Sequence, residues 1–256
     1  MRIRLTLKPA AGNSVIPVNY QYYISSFIYH TIRSSDSDYS RWLHDCGFMS
    51  GNKSFKFFTF SLLNIPSMQI ENNHIRILSE RVSFIISMLS LESLNHLIIG
   101  IFDNCRLYLK NTHFRILFAE KIPDPVFKNE MTFKTISPII VSRKTVYNGK
   151  QSEYYIKPTE EDFTDFLKKN LEEKYITYCT HLGIKITDHG VDELNVLESG
   201  KSKLITIREG TRNETKVKAF PVKFRIKGNK DILKIAYESG AGKLCSQGFG
   251  CLAVAN

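Results

Sequence analysis

The sequence has no paired cysteine motif and no long apolar segment. Its five cysteines are an odd number, and none stands in a C-x-x-C pair, so we expect unpaired thiols in a reducing compartment. The longest apolar runs, such as HLIIGIF, are far too short to span a bilayer. The start, MRIRLTLKP, carries charges where a secretory signal needs an apolar core. These absences predict a soluble, cytoplasmic protein.

Acidic residues are scarce relative to basic ones. The 256 residues include 35 Lys and Arg but only 25 Asp and Glu, a formal charge of +10. A surplus of this size favours an anionic partner, most often nucleic acid, through long-range attraction. Composition alone does not distinguish RNA from DNA or from an acidic membrane surface.

The usual nucleotide-binding loops are missing. The C-terminal run GAGKLCSQGFG is rich in glycine, but no Ser or Thr follows Lys243 and an apolar strand comes next, so it is not a Walker A loop. No long helix begins there, which excludes a dinucleotide-binding fingerprint. Backbone N–H groups of a glycine turn can still bind phosphate. The alternative is a wide turn that joins the last helix to the last strand.

Hydrophobic periodicity predicts the same order of elements twice. The predicted elements of the first half are strand RIRLTLK, helices NYQYYISSFIYHTIRSS and DYSRWLHDCG, strands FKFFTFSLL and HIRILS, helix ERVSFIISMLSL, and strands HLIIGIF, CRLYL and HFRILFAE. After the linker KIPDPVFKNEMTFK come strand TFKTISPIIVS, helix EEDFTDFLKKNLEEKYITYC, strands KLITIR and TKVKAFPVKFRIKG, helix DILKIAYESG and strand GCLAVA. Two βαββαβ patterns predict an α+β protein with two tandem ferredoxin-like domains, residues 1–121 and 131–256.

One segment concentrates positive charge. Residues 201–227 hold nine Lys or Arg against two acids and are predicted to form a β-hairpin. Alternation places several cations on one face of a strand, spaced to follow a polyanion. The alternative is a solvated edge hairpin whose lysines prevent sheet-to-sheet pairing. The candidate RNA-binding cations of this arm are Lys216, Lys218, Lys223 and Arg225.

Several segments, in order along the chain, resemble one known family. They are PVNYQYYISSFIYHTIRS, YSRWLHDCGF, FKFFTFSLL, FKTISPIIV and, most specifically, YESGAGKLCSQGFGCLAV. Together they resemble the CRISPR-associated endoribonucleases that cut repeat RNA into guide units. The resemblance implies cleavage by general acid–base chemistry without a metal or other cofactor, with attack by the ribose 2′-hydroxyl leaving a 2′,3′-cyclic phosphate and a 5′-hydroxyl. It also implies that the glycine-rich loop contacts RNA through Gly242, Lys243, Ser246, Gln247, Gly248 and Gly250.

The resemblance also implies the catalytic residues. It assigns the catalytic histidine to His44, the lysine to Lys56 and the tyrosine to Tyr29. Helical spacing places Tyr29 on a polar stripe of the first helix, opposite the apolar one. The members of this stripe are Tyr22, Ser26, Tyr29 and Arg33. His30 lies off the stripe and is the alternative histidine. The insertion MSGNKSF makes Lys53 the alternative lysine, and His44 alone could be a cation favoured at a helix end.

Other functions and partners stay open at this point. A non-catalytic repeat-RNA-binding protein, or a structural subunit of a CRISPR effector complex, is the alternative to an enzyme. The expected partners are CRISPR repeat RNA and effector-complex subunits, with no membrane, and the chain is expected to be a monomer or a homodimer. No metal site is expected, because Asp36 and Asp38 are better explained by helix capping and DHGVDE by an exposed turn.

Overall fold

The computed structural model describes residues 1–10, 14–147, 149–186 and 190–255. The described strands up to residue 122 are β1 (Arg2–Pro9), β2 (Ser14–Pro17), β3 (Phe48–Ser50), β4 (Lys53–Phe55), β5 (Phe58–Phe60), β6 (Met68–Glu71), β7 (His74–Ile77), β8 (Val82–Met88), β9 (Arg106–Leu109) and β10 (Thr112–Ile122). The helices of this part are α1 (Gln21–Ser35), α2 (Ser37–Asp45) and α3 (Leu91–Asp103).

The first large sheet has the strand order β5-β8-β1-β10-β9, with antiparallel pairs throughout. Alternation in β1 buries Ile3, Leu5 and Leu7, as expected for a strand with one face against a core. Helices α1 and α3 pack together, and the apolar stripe of α1 is buried in that core. Strand β1, helix α1, strands β5 and β8, helix α3 and strand β10 thus form a βαββαβ unit.

The second half repeats this arrangement. Its described strands are β11 (Glu130–Thr135), β12 (Ser142–Tyr147), β13 (Lys150–Tyr155), β14 (Val191–Ser199), β15 (Lys203–Ile207), β16 (Thr215–Ala219), β17 (Val222–Gly228) and β18 (Leu252–Val254). Its helices are α4 (Asp162–His181) and α5 (Lys230–Ser239), followed by a 3₁₀ turn at Cys245–Gln247. The sheet order β14-β17-β11-β18 matches that of the first unit.

The fold is therefore α+β with two tandem ferredoxin-like domains, as predicted. The domain limits 1–121 and 131–256 themselves stay a prediction. Smaller sheets are added to this frame, namely β2-β7-β6 and the hairpins β3-β4, β12-β13 and β15-β16. Among the described residues, no helix has the length and apolar character that a membrane crossing requires.

Two predicted elements of the first half are wrong. The run ERVSFIISMLSL, predicted as a helix, contains strand β8, which lies between β5 and β1 inside the sheet. The run HLIIGIF, predicted as a strand, belongs to α3. A continuous apolar run fits a buried strand and a buried helix equally well. The N-cap decides between them, because the Ser90 hydroxyl accepts a hydrogen bond from the Ser93 N–H and starts α3 there.

Three further predictions need correction. The run FKFFTFSLL is broken into β4 and β5, because Phe57 has a left-handed φ of 49°. The basic segment 201–227 is not a single hairpin, since β15 and β16 form the hairpin and β17 lies inside the second large sheet. Val191, Asp192 and Glu193 of DHGVDE begin strand β14 instead of an exposed turn, while Asp188 and His189 lie outside the described residues.

Arg2 ties the two domains together. Its side chain is 2% exposed and reaches from β1 to the C-terminal domain, where Nη1 donates to the Leu252 carbonyl at 2.5 Å and Nη2 donates to the Tyr237 carbonyl. The guanidinium also lies 3.3 Å from the centroid of the Tyr237 ring. A buried charge is tolerated only when its donors are satisfied, so these contacts fix the two domains in one arrangement.

Candidate active site

A cavity of about 390 Å³ opens between α1 and α2, and the C-terminal domain closes one side of it. The polar stripe predicted on α1 lines this cavity. The lining residues are Tyr22, Ser25, Ser26, Tyr29, His30, Arg33, Ser37, Ser40, Arg41, His44, Asp45, Arg208 and Gln247. The structure therefore brings Tyr29 and His44 together, as the sequence suggested, and adds two arginines, Arg41 and Arg208, to Arg33 of the stripe.

A capping residue between α1 and α2 orients the two helices that form the cavity. Asp36 ends α1 and caps α2, since its Oδ1 accepts hydrogen bonds from the Asp38 and Tyr39 N–H groups at 3.0 and 2.8 Å. The predicted capping role of Asp36 is thus confirmed. The Ser40 hydroxyl then donates to the Tyr29 carbonyl at 3.0 Å. This contact holds α2 against α1 in the turn that carries Tyr29.

His44 lies at the end of α2 beside a carboxylate. Its Nδ1 is 2.7 Å from Asp45 Oδ1, and an ionised carboxylate can only accept, so Nδ1 carries the hydrogen. In the neutral imidazole the free lone pair is then on Nε2. The His44 ring meets the Tyr29 ring edge to face, with centroids 5.0 Å apart. A base with a fixed tautomer beside a phenol is suited to proton transfer.

The Tyr29 phenol is a donor rather than a base. Burial raises its pKa to about 12, and a hydrogen bond with the Ser246 side chain partly opposes this. The phenol therefore stays protonated at neutral pH. Its ring also contacts Phe58, with centroids 5.5 Å apart, so both the helix and the sheet hold it in place.

Lys56 and Lys53 have different surroundings. Burial lowers the pKa of the half-buried Lys56, and the nearby Cys46 and Asp45 partly restore it. Lys56 follows β4, and its side chain lies against Gly47. A Cβ added at Gly47 would be 3.1 Å from the Lys56 Nζ. Lys56 does not line the cavity itself, among the residues described. Lys53 instead makes an ion pair with Glu173 of α4, with Nζ 2.5 Å from Oε1.

Sequence reasoning missed part of this site. His30, placed off the polar stripe, also lines the cavity and stays a candidate. Asp45, Arg41 and Arg208 were not singled out as site residues. For Asp45 the signal was its position next to His44. For Arg208 the only signal was its place in the basic segment, because a long-range contact leaves no local pattern.

The glycine-rich loop is a packed structural element that reaches this cavity at Gln247. Gly242, Gly248 and Gly250 all have left-handed φ values, between 67° and 88°. A Cβ at Gly248 would lie 2.4 Å from the Phe60 ring, and one at Gly250 would lie 1.9 Å from the Ala241 carbonyl oxygen. Close packing therefore explains these two glycines independently of any ligand.

The loop is also hydrogen-bonded to the N-terminal domain. The Ser25 hydroxyl donates to the Ser246 carbonyl at 2.8 Å, and the Thr59 hydroxyl donates to the Phe249 carbonyl at 2.9 Å. Lys243 makes an ion pair with Glu153, with Nζ 2.5 Å from Oε1. The loop thus lies between the domains. Its Gln247 lines the cavity, and its Lys243 is paired with Glu153.

The predicted cations of the basic arm lie apart from one another in the fold. Lys216 and Lys218 are on β16 of the small hairpin. Lys223 and Arg225 are on β17 and make ion pairs across the sheet, at 3.0 Å with Glu198 and 3.6 Å with Glu130. None of the four lines the cavity among the described residues. The contact of all four with RNA stays a prediction. Lys223 and Arg225 would have to break their ion pairs with Glu198 and Glu130 before they could bind a phosphate.

No group of three or more His, Cys, Asp or Glu side chains is close enough to hold a metal ion within the described parts of the chain. The reactive groups of the cavity are instead an imidazole, a phenol and guanidinium cations. Such a set can move protons and stabilise negative charge at phosphorus. The fold therefore defines a protein with two ferredoxin-like domains, and histidine, tyrosine and arginine side chains line its cavity.

Comparison with known families identifies this class more closely. Residues 15–120 match the N-terminal model of the CRISPR-associated protein Cas6, and residues 122–254 match its C-terminal model. The chain is 31% identical over 250 residues to the CRISPR-associated endoribonuclease Cas6 1 of Methanocaldococcus jannaschii, covering 98% of this chain and 91% of that protein. The chain therefore belongs to the Cas6 family of CRISPR-associated proteins.

Further relatives agree with this assignment. The CRISPR-associated endoribonuclease Cas6 of Pyrococcus furiosus is 30% identical over 257 residues, covering 99% of this chain and 90% of that one. A solved structure of a Cas6-related gene product from Pyrococcus furiosus superposes with a TM-score of 0.82 at 25% identity, covering 100% of this chain and 98% of the other. A second, described as CRISPR associated protein Cas6, has a TM-score of 0.77 at 30% identity, covering 100% and 99%.

Proposed function

We propose that this protein is an endoribonuclease that cleaves CRISPR precursor RNA within its repeats to give guide RNAs. The cavity between α1 and α2 carries the proposal, because it combines a histidine bound to a carboxylate, a buried phenol and three arginines. The names of the relatives in Methanocaldococcus jannaschii and Pyrococcus furiosus as CRISPR-associated endoribonucleases support the substrate class.

The proposed reaction is an internal transesterification without a metal ion. The ribose 2′-hydroxyl attacks the adjacent phosphorus, so that the bond from O2′ to phosphorus forms and the bond from phosphorus to O5′ breaks. A base accepts the 2′-hydroxyl proton and an acid donates a proton to the leaving O5′. The products are a 2′,3′-cyclic phosphate and a 5′-hydroxyl. Negative charge that develops on the phosphate requires nearby cations.

Residues in and near the cavity fit these roles. His44 serves as base or acid through Nε2, since Asp45 holds the hydrogen on Nδ1. Tyr29 donates a hydrogen bond to the reacting phosphate, because its raised pKa keeps the phenol protonated. Lys56 supplies positive charge. The glycine-rich loop would place Gln247 beside the RNA.

The test is single-turnover cleavage of a CRISPR repeat RNA in the presence of EDTA. Wild type should cut, and His44→Ala should be about 10²–10⁴-fold slower, the usual contribution of one acid–base group, with near-native RNA affinity. His74→Ala is the matched control, because His74 is an exposed histidine on β7 that bonds only the Asn72 carbonyl. A deoxyribose before the cut should abolish cleavage.

Each other outcome identifies a different error. Loss of wild-type cleavage in EDTA, restored by magnesium, would contradict the metal-free mechanism. If His30→Ala is inactive and His44→Ala is not, the catalytic histidine is His30. A wild-type protein that binds the repeat without cutting it would support the alternative of a non-catalytic RNA-binding or structural subunit. Association with effector-complex subunits and the choice between monomer and homodimer stay predictions.

A further inference from the structure

Three cations lie side by side across neighbouring strands of the first large sheet. In the strand register, Lys8 of β1 is opposite Arg115 of β10, and Arg115 is opposite Arg106 of β9. All three side chains are exposed. Residues directly opposite each other have Cβ atoms about 4.5–5.5 Å apart, and like charges in such pairs are destabilising. Lys8, Arg115 and Arg106 together are called the cation row.

The cation row has no acidic partner among the described residues. None of the three side chains takes part in an ion pair there, although cations on β17 are each matched by a Glu. Asp103 stands three residues before Arg106 and does not pair with it. Protection of a sheet edge would explain Arg106 on the edge strand β9 and Lys8, which lies past the last pair of β1 with β8. It does not explain Arg115, because β10 is paired on both sides at that position.

The cation row is connected to the active-site cavity through a second cavity. His30 and Ser26 line both the active-site cavity and a neighbouring cavity of about 560 Å³ between α1, α3 and β9. Arg106 lines this second cavity and also a third one, of about 390 Å³, that contains Lys8, His113 and Arg115. Shared lining residues thus place the second cavity next to the active-site cavity on one side and next to the cation row on the other.

Aromatic rings line the second and third cavities. Tyr108, which lies between Arg106 and Lys110 in the sequence, is 53% exposed and lines the second cavity. Its ring is 5.9 Å from that of His113 on the adjacent strand. Proteins that bind single-stranded nucleic acid combine cations spaced along the backbone with exposed rings on which bases stack. A large exposed tyrosine between basic residues has the chemistry of such a platform.

We propose that the cation row and Tyr108 bind the single-stranded RNA that flanks the cleavage site, with phosphates on Lys8, Arg115 and Arg106 and a base on the Tyr108 ring. This inference rests on the proposed function for its substrate, and it assigns a second RNA-binding surface outside the active-site cavity. Such a surface would determine how long a substrate must be for tight binding, without changing the chemical step.

The experiment measures binding of non-cleavable, 2′-deoxy-substituted repeat RNAs by fluorescence anisotropy over a range of salt. Substrates are the full repeat, repeats shortened from either end, and a short RNA that covers only the nucleotides at the cut. The test variant combines Lys8→Ala, Arg106→Ala and Arg115→Ala. The control combines Arg76→Ala, Lys128→Ala and Lys150→Ala, which removes the same charge from exposed positions elsewhere.

The test variant should bind the full repeat more weakly and lower its log–log salt slope by about 2, since each lost phosphate contact contributes about 0.7 on a single strand. It should bind the short RNA as wild type does, and cut saturating repeat at the wild-type rate. Tyr108→Ala should weaken binding of the full repeat about 5- to 150-fold, and Tyr108→Phe should restore it.

The outcomes separate this inference from the proposed function. If the test variant and the control lose equal affinity on long and short RNA alike, the cation row is only part of a general positive field and the inference is wrong. If wild type cuts no repeat RNA, the proposed function fails, while the difference between long and short RNA still decides whether the row binds a strand. Melting temperatures of all variants check that they are folded.

Discussion

Substitution of Gly248 tests whether packing or RNA contact requires a glycine in the glycine-rich loop. Gly248 has a φ of 88°, and an added Cβ would lie 2.4 and 2.6 Å from the Cε2 and Cζ atoms of Phe60. The Phe60 side chain is completely buried, so its ring cannot swing into solvent. Gly248→Ala therefore forces either the loop or the ring to move.

The expected cost has two parts. A left-handed conformation costs a non-glycine residue about 1–2 kcal/mol, and overpacking of a filled core costs about 1–3 kcal/mol. Together they predict that Gly248→Ala lowers the free energy of unfolding by about 2–5 kcal/mol, out of about 5–15 kcal/mol for a typical domain. Gly210→Ala should show the first part alone, because Gly210 has a φ of 76° and no atom within 4 Å of the added Cβ.

Urea denaturation of both variants, followed by circular dichroism, measures the difference between them. Gly248→Ala should be about 1–3 kcal/mol less stable than Gly210→Ala, and Phe60→Leu should partly relieve this difference when combined with Gly248→Ala. The affinity of the folded fraction for repeat RNA is measured in parallel. Equal stability of the two variants, with RNA affinity lost only in Gly248→Ala, would refute the packing argument and favour direct RNA contact at this glycine.

Two further predictions concern the candidate catalytic residues. The neutral Tyr29 phenol is favoured by the fold, because burial raises its pKa from 10.0 to about 12. The stability that follows is complete below pH 10 and is lost as the pH rises towards 12, by about 3 kcal/mol. Tyr29→Phe should therefore flatten the fall in unfolding free energy across this pH range, and an unchanged fall would contradict the burial argument. Lys56→Ala should slow single-turnover cleavage, whereas Lys53→Ala should remove only a partly exposed ion pair with Glu173, worth about 0–1 kcal/mol of stability, and leave cleavage near the wild-type rate. The reverse result would mean that the insertion before Lys56 has transferred the lysine role to Lys53.

The fold class could be predicted from the sequence because the two domains have the same element order and most elements have a clear period. Helix α1 shows this best, since the spacing of Ile24, Ile28 and Ile32 fixes its buried face. Strand β8 and helix α3 could not be told apart in the same way. Both contain a nearly continuous apolar run in the sequence, FIISM in β8 and LIIGIF in α3. The Ser90 cap and the pairing of β8 with β1 distinguish them.

In the candidate site, residues in recognisable local segments could be predicted, whereas residues placed by long-range contacts could not. Tyr29 and His44 were accessible from the sequence, because they lie in short segments that resemble a known family and because Tyr29 falls on a polar helical stripe. The place of Arg208 was not accessible, since it reaches the cavity from a segment more than 160 residues further along the chain. The ion pairs of Lys223 and Arg225 were hidden for the same reason, as both acids come from other strands.

The cavity is completed only when both domains are in place. His44 and Tyr29 come from the N-terminal domain, but Arg208 and Gln247 are supplied by the C-terminal one. Ser246 also modulates the pKa of Tyr29 directly. The domains in turn are held by Arg2 and by the hydrogen bonds from Ser25 and Thr59 to the glycine-rich loop. Displacement of that loop would therefore withdraw Gln247 from the cavity and remove the hydrogen bond of Ser246 to Tyr29 together, so the tight packing of the loop keeps the cavity in its shape.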